Sequence, residues 1–322
     1  MDKLLNYFSK CSSLVSFLQT LKDRGLKHAY LFSSTDEIKN HTSSLLFSLL
    51  INCESENKPC FSCKNCLKIL NNNSLDVFVY PKNKAIVVED IKDIIETCYV
   101  ASAEFEKKIY ILNNFDEANI ISQNKFLKTL EEPPQNVVFL LNCKNLSKVL
   151  DTIKSRCEVI SLPQIPLCEI ENAIKNTDIE LNKIIEENCD NELGNYLLLN
   201  DKKIDKTFEF CINLLTNLNT SSEILKYSSE ILKDKENLFN YFYAFYNIFR
   251  DMLVAKVNLN LVKNQSLKSE ILILCEKFNY NAIISILENL IDLNKSLSFN
   301  TNETLIIDNI LINILEEKYK WN

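Results

Sequence analysis

Residues 27–50 read KHAYLFSSTDEIKNHTSSLLFSLL. A short apolar run, Ala29 to Phe32, leads into a polar turn and then into apolar residues at helical spacing, giving the order strand, loop, helix. Nucleotide-binding proteins place their phosphate cradle at such a junction, with the pattern G-x-x-x-x-G-K-[ST]. The loop here supplies Ser34, Thr35, Asp36, Glu37, Ile38, Lys39, Asn40 and His41, and no glycine. The scaffold of a phosphate site is present while its chemistry is missing.

Outward from this stretch, short β-rich runs alternate with helical patterns. Strands are expected at His28–Phe32, Asp76–Tyr80, Ile109–Leu112, Val137–Asn142 and Glu158–Leu162, with helices such as Ile91–Tyr99 and Ile120–Leu130 between them. Apolar strands separated by helices imply a parallel sheet covered on both faces. Ligands of such sheets bind at the carboxyl ends of the strands, where the loop at 33–41 lies. All six prolines occur by residue 166, and only Gly194 represents glycine thereafter. The remainder therefore reads as helices: Thr207–Leu215, Ser222–Leu232, Leu238–Val254, Ser269–Phe278, Ala282–Leu293 and Thr304–Tyr319. The aromatic run LFNYFYAFYNIF (238–249) lacks interleaved basic residues, so it is expected to be core and not a base-stacking surface.

The chain has 322 residues, a net charge of -7 and 12 cysteines. That length suits two or three domains. The acidic balance argues against a chain that grips nucleic acid by itself. The N-terminus shows neither a continuous apolar core nor a small-residue cleavage site, and the apolar stretch Leu45–Ile51 is too short for a bilayer span of roughly 20 residues. A cytoplasmic, reducing location is expected, where clustered cysteines hold metal more often than they form disulfides.

Four cysteines cluster as Cys53, Cys60, Cys63 and Cys66 in INCESENKPCFSCKNCLKI. They are either reduced structural thiols or, as the spacing favours, four thiolates around one tetrahedral ion. Four cysteine ligands leave no open coordination position, so Zn2+ here would be structural. At KIYILNNFDE (108–117), the strand end where a hydrolase keeps acidic metal-holding residues carries Asn113 and Asn114. Asp116 and Glu117 follow a turn and read as a helix-start pair near the dipole. In 123–141 a helix stops at Glu131-Glu132 before Pro133-Pro134. Arg156, one of only three arginines, precedes a strand in TIKSRCEVISLP (152–163). Composition leaves it open whether Arg156 forms a surface ion pair or projects into a neighbour's phosphate site. His28 and His41, the only histidines, have no nucleophile at a suggestive spacing.

Taken together, HAYLF (28–32), the four-cysteine insertion, AIVVEDIKDIIE (85–96), KIYILNNFDEANIISQNKFLKTLEEPP (108–134) and TIKSRCEVI (152–160) resemble the clamp-loader branch of the AAA+ proteins, in order and nearly in spacing. The likeness covers roughly residues 25–165, with a weaker echo at 294–315. It implies an α/β AAA+ core (1–166) with a zinc module at about 53–66, a small helical lid (167–205) and a helical collar (206–322). It further implies a place beside gamma/tau motor subunits and a delta subunit in a hetero-pentamer that loads a sliding clamp onto primed DNA during replication, with no membrane partner. Aligned to the family, Ser34 lies in the degenerate loop, the phosphate lysine and threonine become Asn40 and His41, and the acidic pair becomes Asn113 and Asn114. Asn195 stands near the family's nucleotide-sensing arginine. These losses imply that ATP does not bind and that the chain has no catalysis of its own. Ser155-Arg156-Cys157 matches the family's SRC motif, whose arginine serves the adjacent subunit's ATP. The family usually has eight residues between the first two cysteines, against six here.

Two other readings stand beside this one. An active clamp-loader ATPase would need Lys39 as its phosphate lysine and Asp116 as its acid. A zinc-containing nucleic-acid-binding module would need a basic, aromatic-studded face.

Overall fold

The structure, a computed structural model, describes residues 3–81, 86–174, 182–190, 192–201, 203–234, 237–297 and 303–320. It divides into two compact units, Met1–Ile179 with Asn191–Asn195, and Glu180–Asp190 with Tyr196–Asn322.

The first unit runs α1 (Lys3–Ser9), α2 (Ser12–Asp23), β1 (Ala29–Ser33), α3 (Glu37–Asn52), α4 (Lys64–Leu70), β2 (Val77–Tyr80), α5 (Val88–Cys98), β3 (Lys108–Leu112), α6 (Ile120–Glu131), β4 (Val137–Cys143), α7 (Asp151–Lys154), β5 (Glu158–Ser161) and α8 (Leu167–Ile174). Every expected strand is present, displaced by at most a residue at an end. The five strands form one sheet in the order β2-β3-β4-β1-β5, and every pairing is parallel. β3 and β4 are buried along their whole length, as a sheet covered on both faces requires.

Alternation along β1 assigns the two faces. Tyr30 and Phe32 meet the ring of Phe47 on α3 edge-on, at centroid separations of 5.2 and 5.8 Å. Ala29 and Leu31 belong instead to the cluster formed by Tyr110, Phe139, Phe126 and Ile94 with the α5 and α6 side. Burying one side chain of this size contributes roughly 1.5–3 kcal/mol, so these rows of rings fix α3, α5 and α6 on their faces. β2 begins one residue after Asp76, because that buried carboxylate accepts the backbone amides of Ala103, Glu104 and Phe105. From β1 the chain crosses to the far edge at β2 and steps back through β3 and β4, so β1 sits where the strand order reverses, with its carboxyl end opening into the crevice.

The second unit contains α9 (Lys183–Asn188), the continuation of α10 (Leu193–Asp201), α11 (Ile204–Asn217), α12 (Ser221–Lys233), α13 (Leu238–Ala255), α14 (Lys268–Lys277), α15 (Tyr280–Leu297) and α16 (Glu303–Lys320). Its described residues are helical apart from turns and 3-10 segments. The aromatic run of α13 is core: Tyr241, Phe242, Phe245 and Phe249 are buried, while Phe239 and Tyr246 are exposed. Of the segment at 294–315 that resembles the clamp-loader family, residues 298–302 lie outside the described residues. Among the described residues no helix is long and apolar enough to cross a membrane.

Asp251 on α13 is fully buried and accepts from the backbone amides of Lys263 and Asn264, the Asn264 amide group and the Arg250 guanidinium. Those donors tie the loop before α14 to α13. Asp251→Ala strands them in a buried site, and the expected loss in urea denaturation is about 3–5 kcal/mol; a loss below 1 kcal/mol would show that water replaces the carboxylate.

Candidate functional site

The loop after β1 ends on Asp36, whose carboxylate caps α3 by accepting the Lys39 amide at 2.9 Å. An aspartate before a helical run is the ordinary N-cap choice. The same carboxylate also accepts the backbone amide of Gly194, 158 residues away, at 2.8 Å. A Cβ on Gly194 would lie 2.2 Å from Asp36 Oδ1, so only glycine permits this approach. Asp36 is 1% exposed, and its burial raises the carboxyl pKa above the ordinary range despite the amides aimed at it. A helix N-terminus at the end of β1 is the position that attracts phosphate. Here an internal carboxylate occupies it.

Lys39 is 1% exposed, and its ammonium lies 2.6 Å from Glu192 Oε2 and 3.2 Å from the Pro163 carbonyl. Its charge is therefore spent inside the first unit. Asn40 donates to the carbonyls of Ser34 at 2.8 Å and Cys143 at 3.0 Å and fastens the loop to the end of β4. Ser34 extends this fastening, with its own amide on the Cys143 carbonyl and its hydroxyl accepting from the Asp36 amide.

Two amide side chains, Asn113 and Asn114, follow β3. Asn113 Oδ1 accepts from Asn142 Nδ2 at 2.7 Å and lies 3.2 Å from His41 Nδ1, while Ser44 Oγ donates to Asn142 Oδ1 at 2.8 Å. Asn114, in the left-handed region at φ 51, donates to Glu37 at 2.7 Å, and Lys144 reaches the other Glu37 oxygen at 2.9 Å. Although partial burial pushes the Glu37 carboxyl upward, these two hydrogen bonds hold it below the ordinary carboxylate range. Asp116 corrects the helix-start expectation. It lies in a 3-10 turn (Phe115–Glu117), is buried, and its carboxylate accepts the amides of Lys144 and Asn145 beyond β4. The demand of those strand-end amides, not a helix dipole, explains its place.

The four cysteines meet at one point. Cys53 follows α3, Cys63 caps α4, and all four sulfurs lie within 4.8 Å of one another. Thiolates about 2.3 Å from a tetrahedral ion stand roughly 3.8 Å apart, and Cys60 and Cys66 are 4.0 Å apart. Phe61 turns left-handed at φ 56 inside the loop, and the Cys63 amide points at Cys60 Sγ from 3.2 Å. Amides of Ser62 and Cys63 bring the Cys60 pKa down to about 6, whereas burial pushes the Cys66 thiol up. The donor set fits a tetrahedral metal such as zinc, with no position left for a substrate.

Arg156 lies between α7 and β5. Its Nη1 donates to the Thr152 carbonyl at 2.7 Å and to Ser155 Oγ at 3.3 Å, and its Nη2 donates to Glu131 at the end of α6. Burial raises the Cys157 pKa to about 12. Since Tyr30 pairs with Glu158 and Ser33 with Ser161, Arg156 precedes the amino end of β5 while the loop at 34–36 follows the carboxyl end of β1. Some six residues of extended chain, roughly 20 Å, separate the two along the sheet. Arg156 and this chain's own loop are at opposite ends. An aspartate ahead of a helical run is the local signal that could have found Asp36; Glu192 and Gly194 leave no such signal, because only folding brings them to α3.

Residues 11–166 match a family model described as DNA polymerase III, delta subunit. Over 160 residues (49% of this chain, 48% of the relative) the chain is 32% identical to the DNA polymerase III subunit delta' of Bacillus subtilis. It is also 32% identical to subunit gamma of Buchnera aphidicola subsp. Baizongia pistaciae over 47% of this chain and 41% of that one, and to subunit tau of Escherichia coli over 47% and 24%. The chain thus spans about half or less of these relatives' lengths. A DNA polymerase III gamma subunit-related protein from Thermotoga maritima shares the fold, with TM-score 0.50 and 17% identity over 94% of this chain and 99% of that one.

Two outcomes test the geometry. Glu192→Gln leaves Lys39 charged and unpaired in a buried site, at an expected cost of about 3–5 kcal/mol, and Gly194→Ala displaces the Asp36 cap at about 1–3 kcal/mol; chemical denaturation measures both. For the cysteine cluster, the chain is expected to take up one Zn2+ in a chelator competition assay. Cys53→Ser and Cys66→Ser should each weaken uptake at least about a hundredfold. Affinity should fall as pH is lowered, because protons compete for the thiolates.

Proposed function

From a chain whose residues 11–166 belong to the clamp-loader family of DNA polymerase III subunits, we propose the delta-prime role: a non-hydrolysing stator that supports ATP-driven loading of the sliding clamp onto primed DNA. The observation that carries this reading is the Asp36 carboxylate at the N-terminus of α3. A nucleotide phosphate would have to displace a buried carboxylate held by two backbone amides and then compete with Glu192 for Lys39. Neither Asn113 nor Asn114 supplies the carboxylate that a nucleotide-bound metal needs.

Similarity alone does not separate this role from that of gamma or tau, since the relatives of both kinds are 32% identical to this chain. An ATPase reading has two requirements against it. Lys39 is already neutralised, and the carboxylate of Asp116 is consumed by the amides of Lys144 and Asn145.

In this reading Arg156 is the trans arginine, with Ser155 and Cys157 as its setting, and it completes the ATP site of an adjacent gamma/tau motor subunit. Its distance along the sheet from the chain's own loop supports that use. Cys53, Cys60, Cys63 and Cys66 hold structural Zn2+ that joins the end of α3 to α4, and the complex works in the cytoplasm with a delta subunit in a hetero-pentamer. The core ends at 166, and the lid (167–205) and collar (206–322) follow; residues 175–181, 191 and 202 of that lid lie outside the described residues.

The test is hydrolysis by a clamp loader reconstituted with this chain. Isolated chain should show no ATP binding by calorimetry up to millimolar nucleotide. Arg156→Ala should leave assembly intact and abolish the contribution of the one motor site it serves, where a trans arginine is worth on the order of 10³ or more in rate. ATP binding by the isolated chain at micromolar concentration would overturn the stator reading.

A further inference from the structure

Glu131 is the last residue of α6, followed by a second glutamate at the C-cap. Two carboxylates at a helix C-terminus oppose the macrodipole, which favours cations there. Sequences break a local rule of this kind chiefly at sites with another task. Lys128 is the basic residue of the last turn itself, and the cation that pairs with Glu131 is Arg156, which lies 25 residues away and donates Nη2 to Glu131 Oε1. The Glu131 and Arg156 side chains are 48% and 31% exposed, so the pair contributes little to stability. What it does determine is direction. Glu131, the Thr152 carbonyl and Ser155 Oγ take three of the five guanidinium N–H donors. The N–H of Nε and one N–H of Nη2 have no partner among the described residues, and they are the donors left for an outside anion.

We propose that Glu131 is a positioning residue: with Thr152 and Ser155 it holds the Arg156 guanidinium in one pose, leaving its two unpaired N–H donors for the phosphate of a neighbouring subunit's nucleotide. The proposal rests on the trans-arginine reading above. A free arginine side chain samples many rotamers, and fixing it before the encounter removes that entropic cost from the reaction. Glu131 touches no substrate and acts only through Arg156.

The test uses the reconstituted clamp loader with wild-type chain, Glu131→Gln, Glu131→Asp and Arg156→Ala. The Arg156-dependent rate is the difference between wild type and Arg156→Ala. Glu131→Gln is expected to lower that part of kcat roughly two- to fivefold, the size of one exposed charge pair, with KM for ATP and the melting temperature of the chain unchanged. Glu131→Asp should restore part of the loss, because the carboxylate returns with a shorter reach. If Arg156→Ala lowers the rate and Glu131→Gln does not, the positioning role is wrong and the trans arginine stands. Should Arg156→Ala itself change nothing, both fall. If Glu131→Gln lowers the melting temperature or assembly in step with the rate, its role is structural and the proposal is overturned.

Discussion

A helix that begins at the open end of a parallel sheet presents backbone amides and a positive dipole end, and both call for an anion. In this chain the anion is Asp36. The consequences spread through the first unit. Because the carboxylate is buried, it needs donors beyond its own helix, and it finds one in the Gly194 amide. The approach of that amide demands a residue without a Cβ. Once residues 192–194 lie against α3, Glu192 meets Lys39, and a lysine that would otherwise be an unpaired buried charge becomes half of an ion pair. Each contact requires the one before it. The arrangement needs no ligand to complete it, in contrast to a phosphate cradle, which is incomplete until phosphate binds.

The same economy governs the positions where acidic residues are absent. Asn113, Asn142 and Ser44 connect through amide and hydroxyl groups with the His41 ring beside Asn113, and Asn40 ties the loop to β4. The amide and hydroxyl members carry no charge that must be neutralised, so they hold their geometry without a counter-ion. The charges that remain are moved outward, as in Glu37 with Lys144, or used to bind strand-end amides, as in Asp116. The result is a junction at the open end of the sheet that is held by its own side chains and backbone amides.

Much of this was written in local sequence. Short apolar, β-rich runs marked all five strands, and Pro133-Pro134 marked the end of α6. The cysteine spacing announced the four-sulfur cluster, with Cys60, Cys63 and Cys66 three apart around a turn and Cys53 seven residues before them. These signals are legible because each depends on atoms only a few residues apart.

Other features belong to the tertiary structure alone. The sequence shows Lys39 as a candidate phosphate ligand, and only the fold brings up Glu192 from 153 residues away to neutralise it. It shows Asp116-Glu117 as a helix start, whereas the amides after β4 claim Asp116 first. It leaves Arg156 open between an ion pair and a reach toward a neighbour, while the parallel register places that arginine at the amino end of β5, far from the chain's own loop. The division has a physical basis. Propensity, capping and short-range chelation are decided by neighbours along the chain, but the charge state and partner of a buried group are decided by whatever the packing brings beside it.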